Sequence, residues 1–465
     1  MISLSKIQNY LPFSPTAEQE YFLGAVERLL NTYLPKCGLI LNGYAGTGKT
    51  SVIGALVKEL SAQKRKFILL TPTGKSAKVL QRYSGYSAFT IHKFIYQVVQ
   101  KGGRRYFTRK ENLYKNTLFI VDEVSMISGE EKYFTEGNSN SLLDDLLSYI
   151  FEGENCKLIF LGDQAQLPPV HSLLSPALDV DVLKNEFDLK IAKCHFTEVH
   201  RQEQDSGILE NATMLRKLIT GKRDDISWNW ELFDFAKLSA YDLPEIYEEA
   251  IQKYGSDEVI ILCRSNKQAL MYNQAIRAKV HYLEDELNGG DRLMVVKNNY
   301  KYKIEDAGID FIANGEAVSI NRVIAREEKY GFQFADVDLH LDDYGFDFSA
   351  KLLIDVLNSP ESALSEAQHT LLYETIDAEL LEEYPSKKER LEVLRNHPYL
   401  NALQVKYAYA ITGHKSQGGQ WEVVMMDNGF AFDIDELQDQ RWLYTAITRA
   451  KKQFYWLNFR EKKED

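Results

Sequence analysis

The sequence predicts an α/β chain of two lobes, each a parallel β-sheet with flanking helices, with a small β-hairpin insertion in the first lobe and an insertion of short antiparallel strands in the second. Three observations predict it. The first is length: 465 residues exceed an ordinary single domain. The second is a rhythm of short apolar runs, each followed by a helical stretch. It runs through LILN (39–42), KFILLTPT (66–73), TLFIVDE (117–123) and KLIFLGD (157–163), and resumes at EVIILCRSN (258–266), EVVMMD (422–427) and QFYWLNF (453–459). Apolar strands alternating with helices are the signature of a parallel sheet covered on both faces. The third is a break in that rhythm over 291–400. DRLMVVKNN, EAVSINRVIA and ADVDLHL read there as short antiparallel strands, followed by an acidic stretch of helical pattern.

These runs divide the chain into a first lobe at 1–92 and 116–204, a hairpin-bearing insertion at 93–115, a second lobe at 205–290 and 401–465, and an inserted domain at 291–400. The polar stretch Gly129–Ser141 reads as a surface loop. VVQ-KGG-RRYFT reads as a hairpin turning at Gly102-Gly103.

Composition narrows the class. With 45% hydrophobic and 26% charged residues the chain is globular. No apolar run approaches the roughly 20 residues of a membrane span, so no membrane association is expected. The N-terminal stretch lacks the basic-then-apolar pattern of a secretory signal, which makes a cytoplasmic location the expectation. Cys37, Cys156, Cys194 and Cys263 form no CxxC pair, which argues against a zinc or iron–sulfur site and for buried free thiols. A net charge of −12 disfavours a broad basic face for nucleic acid, though it does not exclude a local track of contacts.

Gly43-Tyr44-Ala45-Gly46-Thr47-Gly48-Lys49-Thr50 fits GxxxxGK[ST] between a strand and a helical run. Glycines there let backbone N–H groups turn toward phosphate oxygens, and the following helix, beginning near Ser51, points its positive end at the anion. Lys49 is expected at the β- and γ-phosphates of ATP and the Thr50 hydroxyl on Mg²⁺. The strand LFIV ends in Asp122-Glu123. Asp122 is the candidate second holder of magnesium, and Glu123 the candidate to orient and deprotonate the attacking water. Two arginines, Arg201 in FTEVHRQ and Arg449 in LYTAITRAKK, are candidates to neutralise the γ-phosphate from outside the loop.

The order of these motifs, from Thr16 to about Lys452, resembles superfamily 1 helicases, and within them the 1B branch of RecD-like and Dda-like enzymes. The resemblance implies two RecA-like P-loop lobes and an ATP-driven DNA helicase. FSPTAEQ (13–19) is similar to the adenine-recognising motif, with Gln19 as base reader. LGDQAQLPPV (161–170) is similar to the coupling motif, with Gln166 facing the γ-phosphate. Arg201 and Gln202 match the fourth motif, AYAITGHKSQGGQWEVV (408–424) the fifth, and YTAITRAKK (444–452) the sixth. The resemblance also places Gly418 at the nucleotide. It assigns DNA contact to Thr71, Pro72, Thr73 and Lys75, to Thr90 and His92, and to Thr412, His414 and Lys415. Gly413 departs from the family pattern, where a branched apolar residue is common.

The same resemblance implies 5′-to-3′ travel, a duplex-splitting pin in 93–115 with Tyr106 or Phe107 at the last base pair, and a Src-homology-3-like barrel near 291–345. Partners implied are single-stranded DNA, duplex junctions and replication or repair proteins, with the chain acting as a monomer. The N-terminal extension of exonuclease-associated relatives is not expected. His171, His195 and His200 read as structural. A remodeller acting on RNA or on protein–DNA complexes would share these lobes, and ATPase stimulation by single-stranded DNA over RNA separates the two readings.

Overall fold

The computed structural model describes residues 6–101, 104–129, 132–135, 138–169, 172–198, 206–299, 301–302, 311–342, 344–429 and 433–459, with backbone alone at 98–101, 104–107, 132–135 and 138–140. Two parallel sheets organise it. The first has six strands in the order Lys190–Phe196, Cys37–Gly43, Lys157–Gly162, Thr117–Val121, Lys66–Thr71 and Ala88–Thr90. Successive side chains of a strand point to opposite faces, so a sheet covered on both sides needs apolar residues facing both ways along the middle of each strand. That is observed. Leu39, Leu41, Leu118, Ile120, Ile159 and Leu161 join the core on one face. Ile40, Phe119, Val121, Leu158 and Phe160 join the core on the other.

The second sheet has five parallel strands in the order Phe235–Leu238, Ala450–Leu457, Trp421–Asp427, Val259–Cys263 and Ala410–Thr412. Its residues alternate in the same way. Ile260, Leu262, Val424 and Met426 face one core, and Val259, Ile261, Val423 and Met425 the other. All four cysteines are buried free thiols, as their apolar settings implied.

The inserted domain is a closed barrel of Arg292–Val295, Ala317–Lys329, Phe332–Leu341, Phe346–Leu353 and Leu403–Tyr407. Two of these strands depart from expectation. Phe346–Leu353 lies within the run read as acidic, because its aspartate and serine alternate outward with inward-facing residues. Leu403–Tyr407 lies past residue 400, in what was assigned to the second lobe; it pairs with both Arg292–Val295 and Phe346–Leu353 and so closes the barrel. The helices Glu366–Glu379 and Lys387–Asn396 pack Leu372, Ile376 and Leu394 against Phe332, Phe334 and Leu353. Both chain crossings between lobe and barrel meet a buried ion pair. Arg277 grips Asp291 through two bonds of 2.7 and 2.8 Å, and Tyr409 donates to Asp291 at 3.1 Å.

The hairpin insertion is present as Tyr96–Lys101 paired antiparallel with Arg104–Arg109; the glycine turn itself lies outside the described residues. Gly129–Ser141 is not the plain loop expected. Lys132–Thr135 and Asn138–Ser141 form a second hairpin, joined to the first through Phe107 and Thr135. Backbone pairing with a neighbouring edge decides this, and polar composition is a poor guide to it.

Candidate nucleotide site and nucleic-acid track

The strand Cys37–Gly43 delivers the phosphate loop to the N-terminus of helix Lys49–Ala62. Gly46 and Gly48 take φ of 74° and 78°, a left-handed backbone that glycine adopts without steric cost. Gly43 is required for another reason, since a Cβ there would lie 2.7 Å from Lys49 Cγ. Lys49 Nζ donates to the Gly43 carbonyl and, at 2.9 Å, to that of Tyr44. Gln19 does more than its expected role. With Thr16 it forms a capping box on helix Ala17–Asn31, and its Nε2 donates to the Thr47 carbonyl at 3.1 Å. The motif thereby fastens a helix end to the phosphate loop.

Asp122 and Glu123 follow the strand Thr117–Val121. The Glu123 N–H donates to Asp122 Oδ1 at 2.8 Å, and Glu123 holds a left-handed φ of 54°. Such strain persists where surrounding structure fixes it, often at active sites. Burial and the neighbouring Glu123 charge hold Asp122 well above the usual carboxylate range, with Lys49 pulling it back.

Asp163 of the coupling motif is raised by burial and lowered by Lys49, by hydrogen bonds from Ala165 and Tyr444, and by Arg449. Cations from both lobes therefore bear on one carboxylate. Gln166 is buried beside it, its N–H on the Asp163 carbonyl at 3.2 Å and its Oε1 unpartnered among the described residues. Arg449 is buried, with Nε on Thr445 O at 3.0 Å, Nη1 on Gly419 O at 3.2 Å and Nη2 on Thr448 Oγ1 at 3.2 Å. Arg201 and Gln202 lie outside the described residues, as do His171 and His200. His195 is exposed, its Nδ1 3.5 Å from Asn42 Nδ2.

Thr71 is buried, its hydroxyl on the Thr73 carbonyl at 2.9 Å, and Pro72 leads into Thr73, which caps helix Gly74–Ser84. Thr90 caps the short helix Ile91–Ile95, placing His92 with its ring 5.8 Å from Tyr96. Burial pushes His92 down to about 4. In the second lobe Thr412 ends a strand, and His414 and Lys415 occupy the turn after it. Burial lowers both, and the Arg264 charge adds to the effect on His414. Thr412 and Lys415 line a cavity with Asn266 and Lys406 at the junction with the barrel.

Two of the candidates also have a packing role. The Lys75 ammonium sits 3.5 Å from the Trp421 ring centroid, so it joins the lobes besides being a candidate DNA contact. Gly418, expected at the nucleotide, takes a φ of 72° at the seam between lobes. A Cβ there would meet Ser76 Cβ at 2.9 Å and Thr73 Oγ1 at 3.1 Å, so its glycine identity serves close approach.

Residues 25–228 match the AAA domain family and 407–456 the UvrD-like helicase C-terminal domain family. The ATP-dependent DNA helicase dda of Enterobacteria phage T4 is 27% identical over 69% of this chain and 72% of its own length. The ATP-dependent RecD2 DNA helicase of Deinococcus radiodurans is 21% identical over 90% of this chain. The chain spans 46% of that relative's length, and 37% of the length of a relative from Methanocaldococcus jannaschii. A crystal structure of Pif1 helicase from Bacteroides in complex with ADP-AlF3 and ssDNA aligns over 96% of this chain and 92% of its own at 15% identity, with a TM-score of 0.47. The chain is thus similar, over both matched regions, to helicases of the RecD2 and Dda kind.

Several residues that build this site were not among the candidates read from the sequence. Tyr444 donates to Asp163 at 2.8 Å and accepts from the Ala45 N–H at 3.0 Å. Thr445 Oγ1 accepts from the Leu167 N–H at 2.8 Å, and Gln417 Nε2 donates to the Leu167 carbonyl at 2.6 Å. The Arg216 guanidinium lies 4.5 Å from the Tyr44 ring centroid. Tyr444, Thr445 and Gln417 sit inside strings that were recognised, so their positions carried a signal. Arg216 lies on an ordinary amphipathic helix and carried none. The Gly413 departure has a cause as well: a Cβ there would lie 2.4 Å from Trp442 Nε1, so the indole fills the space a branched side chain would use. Among the described residues no helix is long and apolar enough to cross a membrane.

Proposed function

We propose that this chain hydrolyses ATP to travel 5′ to 3′ on single-stranded DNA and to part duplex ahead of it. The observation that carries this reading is that Tyr444 of the second lobe, just before Arg449, donates to Asp163 at 2.8 Å and accepts from the Ala45 N–H of the phosphate loop at 3.0 Å. An anion placed there would be held from two bodies at once. Its cleavage and release would remove what holds them together, which turns a chemical step into a mechanical one.

Within that frame Lys49 binds the β- and γ-phosphates, Glu123 orients the attacking water and takes its proton, Gln166 stands beside the reacting group, and Arg449 offsets the charge that builds on the transferring phosphoryl. Thr50 and Asp122 are the residues that would hold Mg²⁺. They offer hard oxygen donors beside the loop, and a magnesium that rides on phosphates needs only one or two protein ligands. When bound, the ion neutralises phosphate charge.

Thr73, Thr90, Thr412, His414 and Lys415 carry hydroxyl, imidazole and ammonium groups suited to phosphate and sugar, which gives grip without sequence preference, and the buried Thr71 braces Thr73 from behind. The hairpin 96–109, braced by the second hairpin, stands as the pin. Parting one stacked step costs about 1.4 kcal/mol, comparable to one base–aromatic stacking contact of about 1–3 kcal/mol.

Strand displacement with a 5′ tail against a 3′ tail, with and without ATP, tests the proposal. The 5′-tailed substrate should open in the presence of ATP. Equal opening of both substrates, or ATPase stimulated by RNA rather than DNA, would overturn it.

A further inference from the structure

Helix Leu437–Ile447 serves two sites at once. Tyr444 and Thr445 on it, and Arg449 just beyond it, face the nucleotide site. Trp442, on the same helix, faces elsewhere. Its buried indole covers Gly413, the residue between Thr412 and His414 in the segment read as gripping DNA. The fit is close: a Cβ on Gly413 would stand 2.4 Å from Nε1, 3.0 Å from Cδ1 and 3.1 Å from Cε2.

Arg264, at the end of strand Val259–Cys263, reinforces this contact. Its guanidinium lies 5.6 Å from the Trp442 ring centroid, and its Nη2 meets Asp439 Oδ1 of the same helix at 2.5 Å. The Arg264 charge also reaches His414. One indole and one guanidinium thus tie the arginine-finger helix to the DNA segment.

We propose that Trp442 is a positioning residue that makes the Thr412–Lys415 segment move with the helix presenting Tyr444 and Arg449, so that closure on nucleotide resets the grip on DNA. A close-packed contact passes a displacement on, whereas a gap of even about 0.5–1 Å forfeits a quarter to a half of the contact energy. The indole is rigid and large. Gly413, bare of a side chain, lets it bear directly on the backbone that aims Thr412 and His414.

This inference rests on the DNA-helicase reading, and its test separates the two. ATPase rates with and without oligo(dT), together with oligo(dT) affinity, are measured for the full chain, for Trp442→Leu, for Gly413→Val and for the double variant. Each single change should lower the stimulated-to-basal ratio about tenfold, the scale on which residues between two sites alter coupling. A merely structural role would lower both rates together and leave the ratio alone. The double variant should regain most of the ratio, because valine at 413 occupies the space left when leucine replaces the indole. If Gly413→Val does not fold, Gly413→Ala carries the test, since its added Cβ alone meets the indole. Wild-type stimulation in the single variants, or a double variant no better than the worse single one, overturns the inference alone. A wild-type ATPase indifferent to oligo(dT) overturns the helicase reading and the coupling with it.

Discussion

Tyr444 and Asp163 come from different lobes and share a hydrogen bond of 2.8 Å. The phenol oxygen accepts in turn from the Ala45 N–H of the phosphate loop at 3.0 Å. Burial and the Asp163 charge push the Tyr444 hydroxyl far above its ordinary value, so it keeps its proton and remains the donor. A single phenol thereby joins the second lobe to the coupling motif and to the phosphate loop. Losing one buried hydrogen-bond partner costs about 1–3 kcal/mol. Tyr444→Phe should therefore lower the unfolding midpoint and also lower kcat/KM for ATP by roughly tenfold, measured by thermal melts and steady-state ATPase. An unchanged kcat/KM would mean that the phenol only fills space.

The nucleotide site makes a sharper set of forecasts. Lys49→Ala should abolish hydrolysis while sparing weak DNA binding, and Glu123→Gln should trap bound ATP because binding survives and water activation does not. Arg449→Ala should cut kcat by about 10³ or more, the lower range for an arginine finger. Single-turnover hydrolysis checks all three. Arg449→Lys should fail to rescue, because a lysine cannot reproduce the planar fork that meets Thr445, Gly419 and Thr448.

Much of this architecture was legible because parallel-sheet strands announce themselves. LILN, TLFIV and KLIFLG are buried on both faces, so all but their end positions are apolar and the run stands out. Lys190–Phe196 was missed for a physical reason: at the sheet edge its burial alternates, and KIAKCHF reads as an ordinary amphipathic segment. The barrel strand Phe346–Leu353 hid for the same reason. At the site, Lys49, Asp122 and Glu123 were readable because their chemistry requires those residue types beside a strand end. The roles of Tyr444 and Trp442 were not, because each depends on what the other lobe or a distant loop brings against it.

Lys75 and Trp421 offer a test of closure. The ammonium stands 3.5 Å from the indole centroid across the seam between lobes, and partly desolvated contacts of this kind contribute about 0.5–2 kcal/mol. Trp421→Leu removes the aromatic face while keeping an apolar side chain. It should raise KM for ATP by roughly three- to tenfold, since closure then costs more. Steady-state ATPase with saturating single strands measures this. An unchanged KM would show that Lys75 spends the cycle on DNA instead.

The hairpin pair makes a kinetic forecast. Arg104–Arg109 is paired on one side with Tyr96–Lys101 and, at Phe107 and Thr135, with the second hairpin. A braced strand resists bending when a duplex is pressed against it. Phe107→Ala should slow duplex opening more than travel along single strands, measured by strand displacement against a translocation assay on the same enzyme. Equal loss in both would remove the pin from 93–115.

His92 supplies a dependence on pH. Burial lowers it from 6.5 to about 4. Between those values the unfolded chain takes up a proton that the folded chain refuses, so folding stability from this group is complete above pH 6.5 and is lost as pH falls toward 4. His92→Gln should flatten that decline relative to the wild type, read as the difference in urea midpoint between pH 7 and pH 5. The same shift makes His92 neutral at pH 7, so it can meet a DNA phosphate only through a hydrogen bond. Neutral contacts release no counterion. His92→Gln should then weaken single-strand affinity while leaving its slope against salt concentration unchanged. A slope reduced by about one unit would mean that the imidazole is charged when DNA is bound, and that binding reverses the effect of burial.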